Sequence, residues 1–166
     1  MPASLSNGAD AEMSQKLVVF MLDEQRYGLR LPVVERVVGA VEVTPLPKSP
    51  EMVLGVINLQ GRVIPVVNVR RRFRLQERAI GLKDHFIIAR TSRRLVALVV
   101  DGVADVISCS EAQIVASGEI LPGLEHVEGV LKLPDGMILL HDLDLFLSLD
   151  EEHALEAALQ QEKAAP

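Results

Sequence analysis

The sequence predicts a mainly β protein that ends in one α-helix. Each half of the chain contains about five short apolar runs separated by turn residues, and short strands at this spacing are typical of small barrels. Val, Ile and Leu supply most of the apolar residues, since aromatic residues make up only 3% of the chain, and β-branched side chains favour strands. The 166 residues therefore fit one domain built from two small lobes.

The prediction is organised around residues 55–74, which read GVINLQGRVIPVVNVRRRFR. Two β-branched runs flank a turn that contains Gly61, so the stretch predicts a β-hairpin with glycine at a positive-φ position. Pro65 lies within the second run and cannot donate to a sheet, which predicts an edge strand or a bulge there. An ordinary core hairpin with a solvated basic exit is the simplest interpretation. The arginines expected to enter solvent after the hairpin are Arg70, Arg71, Arg72 and Arg74.

The chain divides into a tail, a folded part and a terminal helix. Residues 1–15 are polar and predict a flexible N-terminal tail. Residues 16–149 are expected to form two interleaved barrel lobes, with their boundary near the polar stretch 76–84. Residues 150–166 predict a helix followed by a short tail, with Asp150 as the N-cap because its carboxylate suits the start of a helix.

Outside the hairpin, local patterns predict further strands and turns. Residues 33–41 fit either a short helical turn or a bent strand, and residues 51–54 fit one helical turn. Residues 134–136 read Pro-Asp-Gly and predict a hairpin turn. The apolar runs predicted as strands are residues 16–22, 27–31, 85–89, 95–100, 127–133 and 137–141.

Composition excludes several function classes. A net charge of -6 argues against a nucleic-acid binder, and so does the scarcity of aromatic residues for base stacking. The single cysteine, Cys109, permits no intrachain disulfide and indicates a reducing compartment. The N-terminus lacks the features of a signal peptide, and no apolar run approaches the ~20 residues of a spanning helix. We therefore expect a cytoplasmic protein that does not insert into a membrane.

No motif in the sequence indicates catalysis. Phosphate-binding glycine loops and the nucleophile-elbow pattern are absent. An Asp-Gly turn explains Asp101 without acid–base chemistry shared with Asp105, and no basic neighbour in sequence activates Cys109. We expect no catalytic residue, no cofactor and no metal site, and hence an interaction protein. The histidines are scattered without metal-ligand spacing: His85, His126, His141 and His153.

Two stretches resemble the CheW-like domain of bacterial chemotaxis. They are G-V-I-N-L-Q-G-R-V-I-P-V-V-N-V-R at residues 55–70 and V-V-D-G-V-A-D-V at residues 99–106, and the similarity extends over residues 16–149. The resemblance implies two five-stranded SH3-like barrels packed around an apolar groove. It also implies a non-catalytic adaptor that couples the cytoplasmic tips of methyl-accepting chemoreceptors to the regulatory domain of a CheA-type histidine kinase. Such adaptors join other CheW-like domains in rings, which would recruit this protein to membrane-associated receptor arrays.

The resemblance also implies a set of partner-binding residues. Glu35 matches the acidic residue after the second strand, and Asn58 with Gly61 matches the N-x-x-G of the hairpin. The family usually has Arg where this chain has Gln60 and Asp where it has Asn68, and Arg62 would compensate by carrying the charge two residues along. The full set is Val33, Glu35, Asn58, Gln60, Gly61, Arg62, Val103 and Val106.

Some alternatives stay open from the sequence. Val103 and Val106 would suit a groove for an apolar partner helix, or would fill the core of a lobe. An array assembly modulator that competes with the coupling protein is a second possible function. A small-molecule sensor that uses a cleft between the lobes is a third.

Overall fold

The computed structural model describes residues 14–116 and 127–164. Each of the six apolar runs predicted as strands overlaps a strand of the structure. The mainly β fold with a C-terminal helix is confirmed. The helices are α1 (Val69–Arg72), which is a single turn, and α2 (Leu149–Ala164). The strands are β1 Ser14–Leu22, β2 Gln25–Arg30, β3 Val34–Gly39, β4 Val53–Leu59, β5 Arg62–Val67, β6 His85–Arg90, β7 Leu95–Val100, β8 Gly102–Ser110, β9 Ile114–Ala116, β10 Val127–Leu133 and β11 Gly136–His141.

The chain forms two compact units, each assembled from two separate stretches. Of the described residues, the first unit comprises residues 14–33 together with 103–116 and 127–142, and the second comprises residues 34–102 together with 143–164. The stretch 76–84, where the sequence suggested a lobe boundary, lies inside the second unit. It is tied there because the Asp84 carbonyl accepts the Ala40 N–H at 3.0 Å.

The first unit is built on one sheet with the strand order β8-β1-β2-β11-β10-β9. β1 and β2 are antiparallel, β2 and β11 are parallel, and β10 is antiparallel to both β11 and β9. The described sheet has six strands rather than five because the short strand β9 adds to its edge. Its core joins side chains from five of these strands: Leu17, Val19, Cys109, Leu131, Ile138 and Leu140, with Ile114 packed against them.

The second unit is a five-stranded sheet with the order β3-β6-β7-β5-β4. Ile57, Ile64, Phe86 and Ala97 lie together in its core, and Val38 of β3 packs against them. All five strands thus contribute to one core, which requires the sheet to curl so that its edge strands β3 and β4 approach each other.

The β4–β5 hairpin predicted from residues 55–68 is present, with Gln60 and Gly61 as its two-residue loop. β5 lies between β7 and β4 in the sheet order, so the prediction of an edge strand is wrong. β7 pairs with β5 only at Val66 and Val67, however, so Pro65 itself has no paired strand on that side. Proline is tolerated at this position because the N–H and C=O of its partner Val56 both form hydrogen bonds with Thr44, at 2.8 Å each. The hydrogen-bonding groups at the Val56–Pro65 pair therefore point away from the hairpin ladder, and the missing N–H breaks no bond within it. The bulge of this hairpin lies in β4 at Leu54.

The arginines after the hairpin do not all enter solvent. Arg70 is only 9% exposed and donates to Asp101 at 2.7 Å and to the Gln76 carbonyl at 3.0 Å. Arg72 pairs with Glu151. The prediction of a solvated basic exit is therefore wrong, because carboxylates distant in sequence offset the cost of burying these charges.

Asn68 is buried and caps α1, since its Oδ1 accepts the Arg71 N–H at 3.1 Å. Its Nδ2 donates to Glu77 at 2.6 Å. A neutral amide suits this position because one side chain must both accept and donate.

α2 begins with a capping box rather than with Asp150 as the cap. The Ser148 hydroxyl accepts the Glu151 N–H at 3.1 Å, and the Glu151 carboxylate accepts the Ser148 N–H at 2.7 Å. The S-x-x-E pattern at residues 148–151 was the sequence signal for this cap. Leu155 and Ala158 pack against Leu46 in the second unit.

Two local alternatives are also resolved. Within residues 33–41 the chain forms strand β3 after a 3-10 turn at Leu31–Val33. Residues 51–54 are not a helical turn, because β4 already begins at Val53. The predicted tail is described only at Ser14 and Gln15, which begin β1; residues 1–13 lie outside the described part, as does His126.

Candidate functional site: an exposed hairpin patch

The predicted residues of the second unit come together at the tip of the β4–β5 hairpin. We call Glu35, Asn58, Gln60, Gly61 and Arg62 the hairpin patch. Arg62 makes a bidentate ion pair with Glu35, with Nη1–Oε1 at 3.0 Å and Nη2–Oε2 at 2.9 Å. Both side chains remain more than a third exposed. The pair joins Arg62, at the hairpin tip, to the edge strand β3.

Glu35 reaches the hairpin because it is the extra residue of a β-bulge. The β3–β6 register passes from Val34 opposite Ala89 to Arg36 opposite Ile88, which leaves Glu35 without a partner in the ladder. A bulge redirects side chains that would alternate in a regular strand. Arg36 accordingly reaches the same tip, where it donates to Gln60 Oε1 at 3.4 Å. Regular alternation places neighbouring residues on opposite faces, so the sequence pattern does not predict that Arg36 joins Glu35 at this tip.

Asn58 and Gly61 build the turn that presents these charges. Gln60 has φ +55° and Gly61 has φ +84°, the two positive values of a type I′ turn. Asn58 Oδ1 accepts the Gly61 N–H at 3.0 Å, so the N-x-x-G spacing has a direct structural reason. These residues position the patch, while Glu35 and Arg62 present its charge.

The ion pair sets the electrostatics of the patch. The hydrogen bond from Arg62 lowers the pKa of the Glu35 carboxyl, with Arg36 and Arg90 adding to the effect. The same hydrogen bond raises the pKa of the Arg62 guanidinium. Glu35 therefore stays ionised at neutral pH. In this chain Arg62 makes the charged contact to Glu35, while Gln60 accepts a hydrogen bond from Arg36.

The other predicted residues lie in the first unit. Val106 is 49% exposed and Val103 is half-buried, and both lie on β8, an edge strand of its sheet. The exposure of Val106 favours a surface role for this residue over core filling. Val33 is half-buried at the end of the 3-10 turn before β3.

Several residues considered as catalytic or metal-binding candidates are buried or paired in ways that stabilise the fold. Cys109 is 7% exposed, and burial raises the pKa of its thiol. Asp101 binds Arg70 and Arg78, an ion-pair network that the sequence analysis missed. His141 was expected in a solvated cluster, which is wrong: it is 2% exposed and packs edge-on against Phe20 and Tyr27.

Within residues 14–116 and 127–164, no three His, Cys, Asp or Glu side chains come together as a metal site. The helices of the same residues include none that is long and apolar enough to cross a membrane.

Comparison with known proteins identifies the family. A family model described as CheW-like domain matches residues 16–151. The chain belongs to the CheW-like domain family. The chemotaxis protein CheW of Klebsiella aerogenes is 30% identical over 151 residues, covering 90% of this chain and 91% of that protein. CheW of Rhizobium meliloti is 31% identical over 152 residues, covering 90% and 95%.

A solved structure agrees with this assignment. The scaffolding protein TtCheW from Thermoanaerobacter tengcongensis matches with a TM-score of 0.76 and 34% identity, covering 84% of this chain and 96% of that one. A shorter match is the protein FrzA of Myxococcus xanthus, 30% identical over 95 residues, covering 57% of this chain and 59% of that protein. Together the matches support a chemotaxis coupling adaptor, and they do not favour an array modulator or a small-molecule sensor.

Proposed function

We propose that this protein is a non-catalytic, cytoplasmic adaptor that couples chemoreceptor tips to the regulatory domain of a CheA-type histidine kinase. The observation that carries the proposal is the match of the CheW-like domain over residues 16–151, reinforced by a scaffolding protein of the same fold. Recruitment to membrane-associated receptor arrays, in rings with other CheW-like domains, is part of this proposal.

The hairpin patch and the valines of β8 are the surfaces proposed to meet these partners. The bidentate Glu35–Arg62 pair is partly exposed and lies between the β3 bulge and the hairpin turn, so it offers a partner charged donors and acceptors. Val106 adds exposed apolar surface at a sheet edge. The patch presents the neutral Gln60 side chain beside the Arg62–Glu35 ion pair, which would favour a receptor and kinase fitted to that arrangement. Val33, at the end of the 3-10 turn before β3, is proposed to contribute a further apolar contact.

The test is a reconstitution with the receptor and kinase encoded nearest its gene. Autophosphorylation of the kinase is measured with and without this protein. We expect strong activation that requires all three components, because a coupling protein must bind receptor and kinase together. Binding to a single component without activation would favour the modulator instead.

Two substitutions test the surfaces. We expect Glu35→Ala and Val106→Asp to leave the far-UV circular dichroism unchanged and to weaken activation several-fold. Met137→Asp is the matched control, since Met137 lies in the same unit as Val106 and is 48% exposed against 49% for Val106. Full activation by both variants would remove these residues from the proposed interface.

A further inference from the structure

A gap lies between β5 and β7 in the second sheet. The strands run parallel but pair only at Val66–Ala97 and Val67–Leu98. Pro65 precedes this pairing and has no N–H with which to continue the ladder toward the start of β5. A groove of about 690 Å³ lies at the opening, and its lining includes Val63, Pro65 and Leu95.

The first half of β5 presents a free strand edge to this groove. At the Val56–Pro65 pair the backbone groups point away from the hairpin, as the two Val56–Thr44 bonds show. Antiparallel pairs alternate in this respect, so the Asn58–Val63 pair has the same orientation. The N–H and C=O of Val63 therefore face away from β4 on the side where β5 has no paired strand. The Val63 side chain is 56% exposed.

The groove combines apolar walls with one available positive charge. Leu95 of β7 and Leu159 of α2 line it together with Val63. Among its cations, Arg62 is paired with Glu35 and Arg94 with Glu152 and Glu156. Arg90 is exposed and makes no direct ion pair with any residue of the described chain, although its charge also acts on Glu35 from a greater distance. An occupant that brings a carboxylate would complement Arg90.

We propose that this groove binds an extended peptide segment of a partner protein, with alternating apolar side chains and one carboxylate. The segment adds as a strand to β5 through the backbone of Val63, a mode in which backbone bonds give affinity and side-chain pockets give specificity. Its apolar side chains contact Leu95 and Leu159, and its carboxylate pairs with Arg90. This inference does not rest on the chemotaxis role and holds or fails independently of it.

The experiment uses the full ¹⁵N-labelled chain and a panel of heptapeptides that alternate Val and Thr, with a single Glu placed at each position in turn. Binding is followed by two-dimensional NMR. We expect at least one peptide to shift the amide signals of Val63, Arg90 and Leu95. We expect the Glu→Gln version of that peptide to bind about threefold more weakly, as an exposed ion pair allows. Arg90→Glu is expected to reverse the preference toward a Lys-containing peptide.

Variants at one position separate backbone pairing from side-chain contact. Val63→Pro removes the N–H at a position whose hydrogen-bonding groups do not serve the hairpin, as Pro65 does two residues later. Val63→Thr keeps the N–H and is the matched control. We expect Val63→Pro to weaken binding at least tenfold and Val63→Thr to retain it, with both variants giving folded spectra.

Several results would overturn the proposal. They are the absence of binding across the panel at millimolar concentration, signal shifts confined to other surfaces, and equal binding by the Pro and Thr variants. A concentration-dependent dimer that Val63→Pro abolishes in sedimentation would instead assign the edge to a second copy of this chain.

Discussion

The conformation of Gly61 makes the hairpin patch sensitive to a single methyl group. Gly61 has φ +84°, and a Cβ built at this position meets no atom within 4 Å. The cost of Gly61→Ala therefore comes from backbone conformation alone and should be about 1–2 kcal/mol. For a chain of this size that lowers the melting temperature by about 2–8 °C. We expect the same variant to weaken kinase coupling, because the turn places Arg62 against Glu35.

Gly39→Ala is the matched control for this prediction. A Cβ at Gly39 also meets nothing within 4 Å, but its φ lies outside the left-handed range. The substitution should therefore be neutral or stabilise by about 0.4–1 kcal/mol. Urea unfolding followed by far-UV circular dichroism is the assay, since the chain contains no Trp. Equal free energies of unfolding for the two variants would refute the argument from φ.

Three further predictions concern buried groups. Asp84→Ala should lower the free energy of unfolding by about 2 kcal/mol. The reason is that the buried Asp84 carboxylate accepts hydrogen bonds from Arg78 at 2.7 and 2.8 Å and from the Gly81 N–H at 2.8 Å. Asp84→Asn keeps the bond from Gly81, so in urea unfolding it should lower the free energy of unfolding by less. The hydrogen bond from Arg78 lowers the pKa of Asp84. The stabilisation of the fold by the Asp84 carboxylate should therefore be complete above about pH 4 and be lost as the pH falls further. If Asp84→Asn left the dependence of unfolding on acidic pH unchanged, this prediction would be contradicted. Cys109 is buried and burial raises the pKa of its thiol, so Ellman's reagent should modify it at least tenfold more slowly in the native protein than in urea.

Local sequence determined most of the secondary structure. Alternation and β-branched content located most of the strands, and the turn at Gly61 was visible because glycine readily adopts positive φ. The family signature lies in the same stretch, since the N-x-x-G spacing is also the chemistry of the turn. These features depend on neighbours within a few residues, which the sequence displays directly.

Tertiary structure decided the features that depend on partners distant in sequence. The sequence pattern predicts that Arg70 is solvated, whereas in the folded chain it pairs with Asp101. Glu35 occupies a bulge in β3, and Glu128 occupies another in β10, where it binds Arg30 at 2.5 Å. A bulge leaves little trace in an alternating pattern, because it exists only relative to the strand opposite.

The sequence by itself therefore determined most of the strands and the turn that presents Arg62, but it left β3 open and did not predict β8 or β9. Only the folded chain decided that Arg62 meets Glu35, that Pro65 lies in an inner strand, and that β5 has a free edge at Val63. The physical reason is that hydrogen-bond alternation along a strand is local, whereas register, burial and charge pairing are properties of two strands at once.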